Sequence, residues 1–162
     1  IIRDVLTLAS DRHIIANDVA EMRRAIALEK GEDDIWDLKY AAGGLVDIEF
    51  IAQYLQHIHA AETPEILSVS TSQVLENAAR LGILSQSTME VLRPAVRLYH
   101  ALSQILRLFL SGPFDPKAAA PGLLALLARA ADVPDVATLD AFIVDTQAKV
   151  RASFARILGG AP

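Results

Sequence analysis

Leu92, Val96, Tyr99, Leu102, Leu106 and Phe109 follow one another at three- and four-residue intervals. That spacing draws one apolar stripe along a helix and is incompatible with a strand, whose faces alternate every second residue. Similar stripes recur through most of the chain, and no run of β-branched residues bounded by turns interrupts them. Ala (27 residues) and Leu (22 residues), both strong helix formers, dominate the 162-residue chain. The expected fold is therefore all-α: an up-and-down helical bundle with a four-helix core and additional terminal helices.

The breaks place the elements. A helix is expected to end over 1–9, and Asp11 is expected to cap a second, with Ile15, Val19, Met22 and Ile26 on its apolar stripe and Gly31 beyond its end. An irregular stretch over 35–44 precedes a third helix over 45–60, which Thr63-Pro64 closes. A fourth starts at Ser70 or Ser72 and stops with Gly82 in the C′ position. The fifth is long, over 85–111. Pro94 inside it implies either a kink or a start near Arg93. Two more are expected over 121–131 and 138–158, the last closed by Gly159-Gly160.

Composition removes several classes of function. Without Cys the chain has no disulfide, zinc–thiolate site or thiol nucleophile. A net charge of −5 argues against a dedicated nucleic-acid binder, which needs a basic face. Apolar runs are broken by Arg, Asp or Pro well short of the about 20 residues a membrane span needs. The chain opens Ile1-Ile2-Arg3-Asp4, with no initiator Met and no signal-peptide pattern. We read 1–162 as one helical domain cut from a longer, cytoplasmic protein. Acidity is concentrated early: residues 1–65 carry 6 basic and 13 acidic side chains, against 4 and 2 over 66–112. Salt bridges to this acidic part are the expected role of Arg93, Arg97 and Arg107.

One segment departs from plain amphipathic helix, Asp37-Leu38-Lys39-Tyr40-Ala41-Ala42-Gly43-Gly44-Leu45-Val46-Asp47-Ile48-Glu49-Phe50. Two glycines ahead of a helix allow a close backbone approach. Free N–H groups at the positive end of the helix dipole would favour an anion there. Lys39 adds a point charge suited to phosphate. An ordinary tight turn would use the same glycines. Read as a strand, Asp47 and Glu49 would share one face and could hold magnesium. The apolar pattern continues as Phe50, Ile51, Tyr54, Leu55 and Ile58, however, which is helical. On a helix, residues two apart diverge by about 200°, so the two carboxylates cannot share a metal. Asp47 then lies on the apolar side of the first turn, as a cap or as a partner for Arg23 or Lys39. Glu49 lies on a polar stripe with Gln53 and Gln56. No metal site is assigned in this chain. His57 and His59 diverge on their helix, His13 and His100 are isolated, and Trp36 is read as a plug holding the irregular stretch on the bundle.

This segment resembles the glutamine synthetase adenylyltransferase family, in which a Lys-x-x-x-Gly-Gly-x-x-Asp-Ile-Glu-Phe-x-x-Gln motif opens the central helix of a helical domain. Lys39, Gly43, Gly44, Asp47, Ile48, Glu49, Phe50 and Gln53 match it. Met22-Arg23-Arg24 resembles the family's Met-Arg pair. The likeness is clear to about Leu110 and rests on helical character alone beyond it. A related motif in the uridylyltransferase of the same nitrogen-signalling pathway matches less well at Ile-Glu-Phe. The resemblance implies a bifunctional parent using ATP and Mg2+. One half transfers AMP to a tyrosine of glutamine synthetase and the other removes it. Val46-Asp47-Ile48-Glu49-Phe50 is similar to the adenylylating, C-terminal half. The family's catalytic Gly-Ser and Asp-x-Asp motif does not occur in this sequence. The resemblance therefore places the catalytic residues upstream, and this chain alone is expected to bind neither ATP nor Mg2+ and to be inactive. Lys39, Gly43 and Gly44 would face phosphates, with Arg23, Asp47 and Glu49 fixing that corner. The implied partners are glutamine synthetase, a PII-type signal protein and the upstream nucleotidyltransferase domain. The competing reading is a non-catalytic interaction module that docks glutamine synthetase or a PII-type protein.

Overall fold

The computed structural model describes residues 11–110 and 112–159. The helix end expected over 1–9, the last residue expected of the 85–111 helix, and Gly160 lie outside the described residues. Among the described residues the structure is six α-helices and one short 3-10 turn, with no strand. In chain order these are α1 (Arg12–Lys30), α2 (Leu45–His59), the 3-10 turn Pro64–Ile66, α3 (Thr71–Arg80), α4 (Gln86–Phe109), α5 (Pro121–Ala130) and α6 (Val136–Leu158).

Caps set most of these boundaries. The Asp11 carboxylate accepts from the His13 and Ile14 N–H groups, the Ser70 hydroxyl from Gln73, and the Ser85 hydroxyl from Thr88. Each satisfies a donor that the first turn leaves open. Gly82, at φ 71°, ends α3 in the left-handed conformation its position calls for. Asp135 caps α6 through the Thr138 N–H and starts it at Val136, two residues before the expected 138. α4 runs unbroken through Pro94, so no helix begins at Arg93. Pro94 cannot donate to the Glu90 carbonyl, and both residues lie on the exposed face of the helix.

The architecture is an up-and-down bundle. Its four-helix core is a ring in which α2 packs on α3, α3 on α4, α4 on α6 and α6 on α2. The inner faces supply Ile48, Ile51, Leu75, Met89, Leu92, Leu102, Leu139 and Ile143, all fully buried. Two helices lie outside the ring: α1 against α2, and α5 across α4 and α6. The α1 stripe is rotated from the expected one. Met22 is 56% exposed, whereas Arg23 is 1% exposed and faces α2 beside Ala16 and Val19. Trp36 is a buried plug: its Nε1–H donates to Asp140 at 3.0 Å and Phe114 packs edge-on at 4.5 Å. Arg93 pairs with Glu76 of α3, twice at 2.7 Å, rather than with the acidic first part of the chain. No helix among the described residues is long and apolar enough to cross a membrane.

Candidate functional site

The irregular stretch and the head of α2 form a polar corner held by three other helices. From α1, Arg23 donates through Nε to Asp47 Oδ1 and through Nη2 to the Tyr40 and Ala41 carbonyls at 3.0 and 3.2 Å. The same Nη2 stands 3.3 Å from Glu32. From α6, Arg151 Nη1 donates to Asp47 Oδ2 at 3.1 Å, and Gln147 Nε2 donates to the Ile35 carbonyl at 2.8 Å. From α4, the Tyr99 hydroxyl donates to the Gly43 carbonyl at 2.9 Å. Asp47 is wholly buried and also accepts from the Gly43 N–H at 2.7 Å. A buried carboxylate is tolerable because two guanidiniums and a backbone donor replace its water.

Of the two roles open to Asp47, the structure shows that of ion-pair partner, with Arg23 rather than Lys39; its bond to the Gly43 N–H lies ahead of the N-cap Gly44, and no side chain caps α2. Lys39 is exposed, its ammonium 5.2 Å from the Tyr40 ring centroid. Glu49 is half-buried on the next face of α2, apart from Asp47, as a helix requires.

Both glycines sit where a side chain would collide with backbone. Gly43 has φ +81°, and a Cβ there would lie 1.9 Å from the Gln147 carbonyl oxygen. α6 therefore rests directly on the Gly43 backbone. At Gly44 a Cβ would meet the Leu38, Lys39 and Ala41 carbonyl oxygens at 2.8 to 3.0 Å. Every N–H from Gly43 to Asp47 already has a protein acceptor: the Asp47 carboxylate for Gly43, then the carbonyls of Ala41, Leu38, Lys39 and Gly44 in turn. The helix start expected to receive a phosphate spends its donors inside the protein, and Lys39 remains as the exposed positive charge beside it.

Magnesium does not fit this corner. Both Asp47 oxygens are engaged by Arg23, Gly43 and Arg151, and Glu49 points elsewhere. Among the described residues no three His, Asp or Glu side chains gather as a metal site.

Burial, and then the Asp47 carboxylate, push the Tyr99 phenol well above its ordinary pKa. An unfolded tyrosine ionises near about pH 10. With the folded value higher, the phenol's contribution to stability is fully present below about pH 10 and is lost as pH rises toward the folded value. Tyr99→Phe is expected to cost about 1 kcal/mol through the orphaned Gly43 carbonyl. It should also reduce the fall in stability above about pH 10, which urea melts across the alkaline range would measure.

Arg151, Gln147 and Tyr99 escape sequence reading. Tyr99 is legible only as one member of an apolar stripe, and Arg151 lies 104 positions from Asp47. Nothing local in the sequence marks either as part of the corner.

The family model described as GlnD PII-uridylyltransferase matches residues 18–113, most of α1 to the end of α4. The chain belongs to that family. Among individual proteins it is similar to enzymes named bifunctional glutamine synthetase adenylyltransferase/adenylyl-removing enzyme. It is 64% identical to that of Rhodopseudomonas palustris (strain BisB5) over 99% of the chain and 60% identical to that of Bradyrhizobium diazoefficiens over 99%. Identity to that of Xanthobacter autotrophicus is 51% over 97% of the chain. The chain spans 16% of the length of each of these relatives. The likeness therefore extends past Leu110, where the motif-based resemblance reduces to helical character, and takes in α5 and α6. Arg151 and Gln147 thus lie beyond the family-model match but inside the segment shared with the relatives.

Proposed function

We propose that this chain is a single helical domain of an adenylyltransferase that moves AMP from ATP to a tyrosine of glutamine synthetase. In this reading it closes the nucleotide cleft of an upstream catalytic domain, which supplies the magnesium site and the reacting groups. The observation that carries the reading is the polar corner itself. Asp47, pinned by Arg23, Arg151 and the Gly43 N–H, rigidly sets the loop that carries the exposed Lys39. A fixed loop can hold one ammonium against a phosphate without ordering cost at the moment of reaction. Gly43, Gly44, Arg23 and Asp47 serve as its support, and Glu49 as a polar neighbour. Action in the cytoplasm, on glutamine synthetase and in response to a PII-type protein, belongs to the same proposal.

The closed set of donors from Gly43 to Asp47 favours a second reading, an interaction module that touches no nucleotide. Lys39→Ala in the longer protein separates the two. Loss of a phosphate contact should lower adenylylation by one to three decades, about 1.4–4 kcal/mol. The melting temperature should hardly move, because an exposed lysine contributes little to stability. Activity within about twofold of the parent would favour the interaction module. The isolated chain should fold cooperatively yet transfer no labelled AMP to glutamine synthetase.

A further inference from the structure

A cavity of about 690 Å³ opens at the other end of α2 from the polar corner, about 20 Å away by helix rise. Its walls come from the start of α1, the last turns of α2 and α6, and the α3–α4 loop. Arg12, His13, His59 and Arg156 line it, and among the described residues no carboxylate does, in a chain of net charge −5. Hydroxyls of Ser85, Ser87 and Thr88 form one side, and Leu55, Ile58 and Ile83 supply apolar wall.

Helix-dipole compensation accounts for part of this charge. Arg156 and His59 occupy last turns, where cations are favoured. It does not account for Arg12 and His13 in the first turn of α1, where positive charge is disfavoured. Arg156 Nη2 donates at 2.6 Å to Thr88 Oγ1, a neutral acceptor. Burial pushes the Tyr54 phenol up and the His59 imidazole down, and the nearby Arg12 opposes the first shift and adds to the second. The exposed Glu62 acts on His59 in the opposite direction, from outside the cavity wall.

We propose that this cavity is a binding site for a small phosphate-bearing organic anion, with Arg12 and Arg156 taking the phosphate and the Leu55, Ile58 and Ile83 wall taking the organic part. Its volume suits such a ligand. Two guanidiniums and a set of hydroxyls match phosphate oxygens, which accept several donors at once. The site is separate from Lys39 and stands whether or not the proposed nucleotide role of Lys39 holds.

Phenyl phosphate and inorganic phosphate are the probes, titrated into the 162-residue chain with amide NMR shifts as readout. Phenyl phosphate should give saturable shifts at Arg12, His59, Thr88 and Arg156, and bind at least about tenfold tighter than inorganic phosphate because only it buries apolar surface. Arg12→Gln combined with Arg156→Gln should weaken phenyl phosphate at least about tenfold, with the dispersion of unaffected amides reporting an intact fold. Lys39→Ala should leave binding unchanged. Absence of saturable shifts to about 10 mM, equal affinity for the two probes, or undiminished binding by the folded double variant would each overturn the proposal.

Discussion

Asp47→Ala is expected to destabilise the chain by about 3–5 kcal/mol, among the largest effects of any single substitution in the corner. The reason is Arg23. It is 1% exposed and its buried Nη1 already lacks an acceptor. Removing the carboxylate would leave a buried guanidinium facing only the Tyr40 and Ala41 carbonyls and the partly exposed Glu32. A helix cap alone would contribute about 1–2 kcal/mol, so the magnitude separates the two roles. Asp47→Asn keeps the shape and isolates the charge. Arg23→Met paired with Asp47→Leu removes both charges and should cost much less than the two single changes added together. Chemical denaturation of the two single variants and the double variant against the parent measures this coupling. Additive losses would mean that the pair is not a unit.

Gly43→Ala is expected to cost about 3–5 kcal/mol or to prevent folding. Two penalties combine. At φ +81° an L side chain loses about 1 kcal/mol or more. The added Cβ would also enter the Gln147 carbonyl, which is backbone and cannot rotate away. α6 would have to retreat, loosening Arg151 from Asp47 and Gln147 from Ile35 at once. Gly82→Ala is the control, because Gly82 has φ +71° but nothing within 4 Å of where its added methyl group would sit. It should lose only the conformational part, about 1 kcal/mol. Thermal melts of both proteins decide it; similar losses would show that close approach of α6 is not what Gly43 is for.

Local signals determined a good deal. Period-3.6 apolar stripes, the Asp11, Ser70 and Ser85 caps and the Gly82 stop follow from interactions within about four residues, so a one-dimensional reading reaches them. The helical state of 45–59 is legible for the same reason, and with it the divergence of Asp47 from Glu49. Arg23 is conspicuous in the sequence as a partner for Asp47, yet nothing local marks it as buried. Its neighbour Met22 is the more apolar residue, and only the packing of α1 on α2 turns Arg23 inward. The Gly43-Gly44 turn shows why the remainder needed the tertiary structure. Its residue types suit an anion site and a crowded crossing equally well. What distinguishes them is where the N–H groups and the missing Cβ point. The N–H groups turn to acceptors within 38–47, whereas the missing Cβ leaves room for Gln147, which α6 brings in with Arg151 from 104 positions along the chain. Burial of a charge and the approach of two backbones are properties of packed elements, and no local sequence pattern encodes the partner that makes them tolerable.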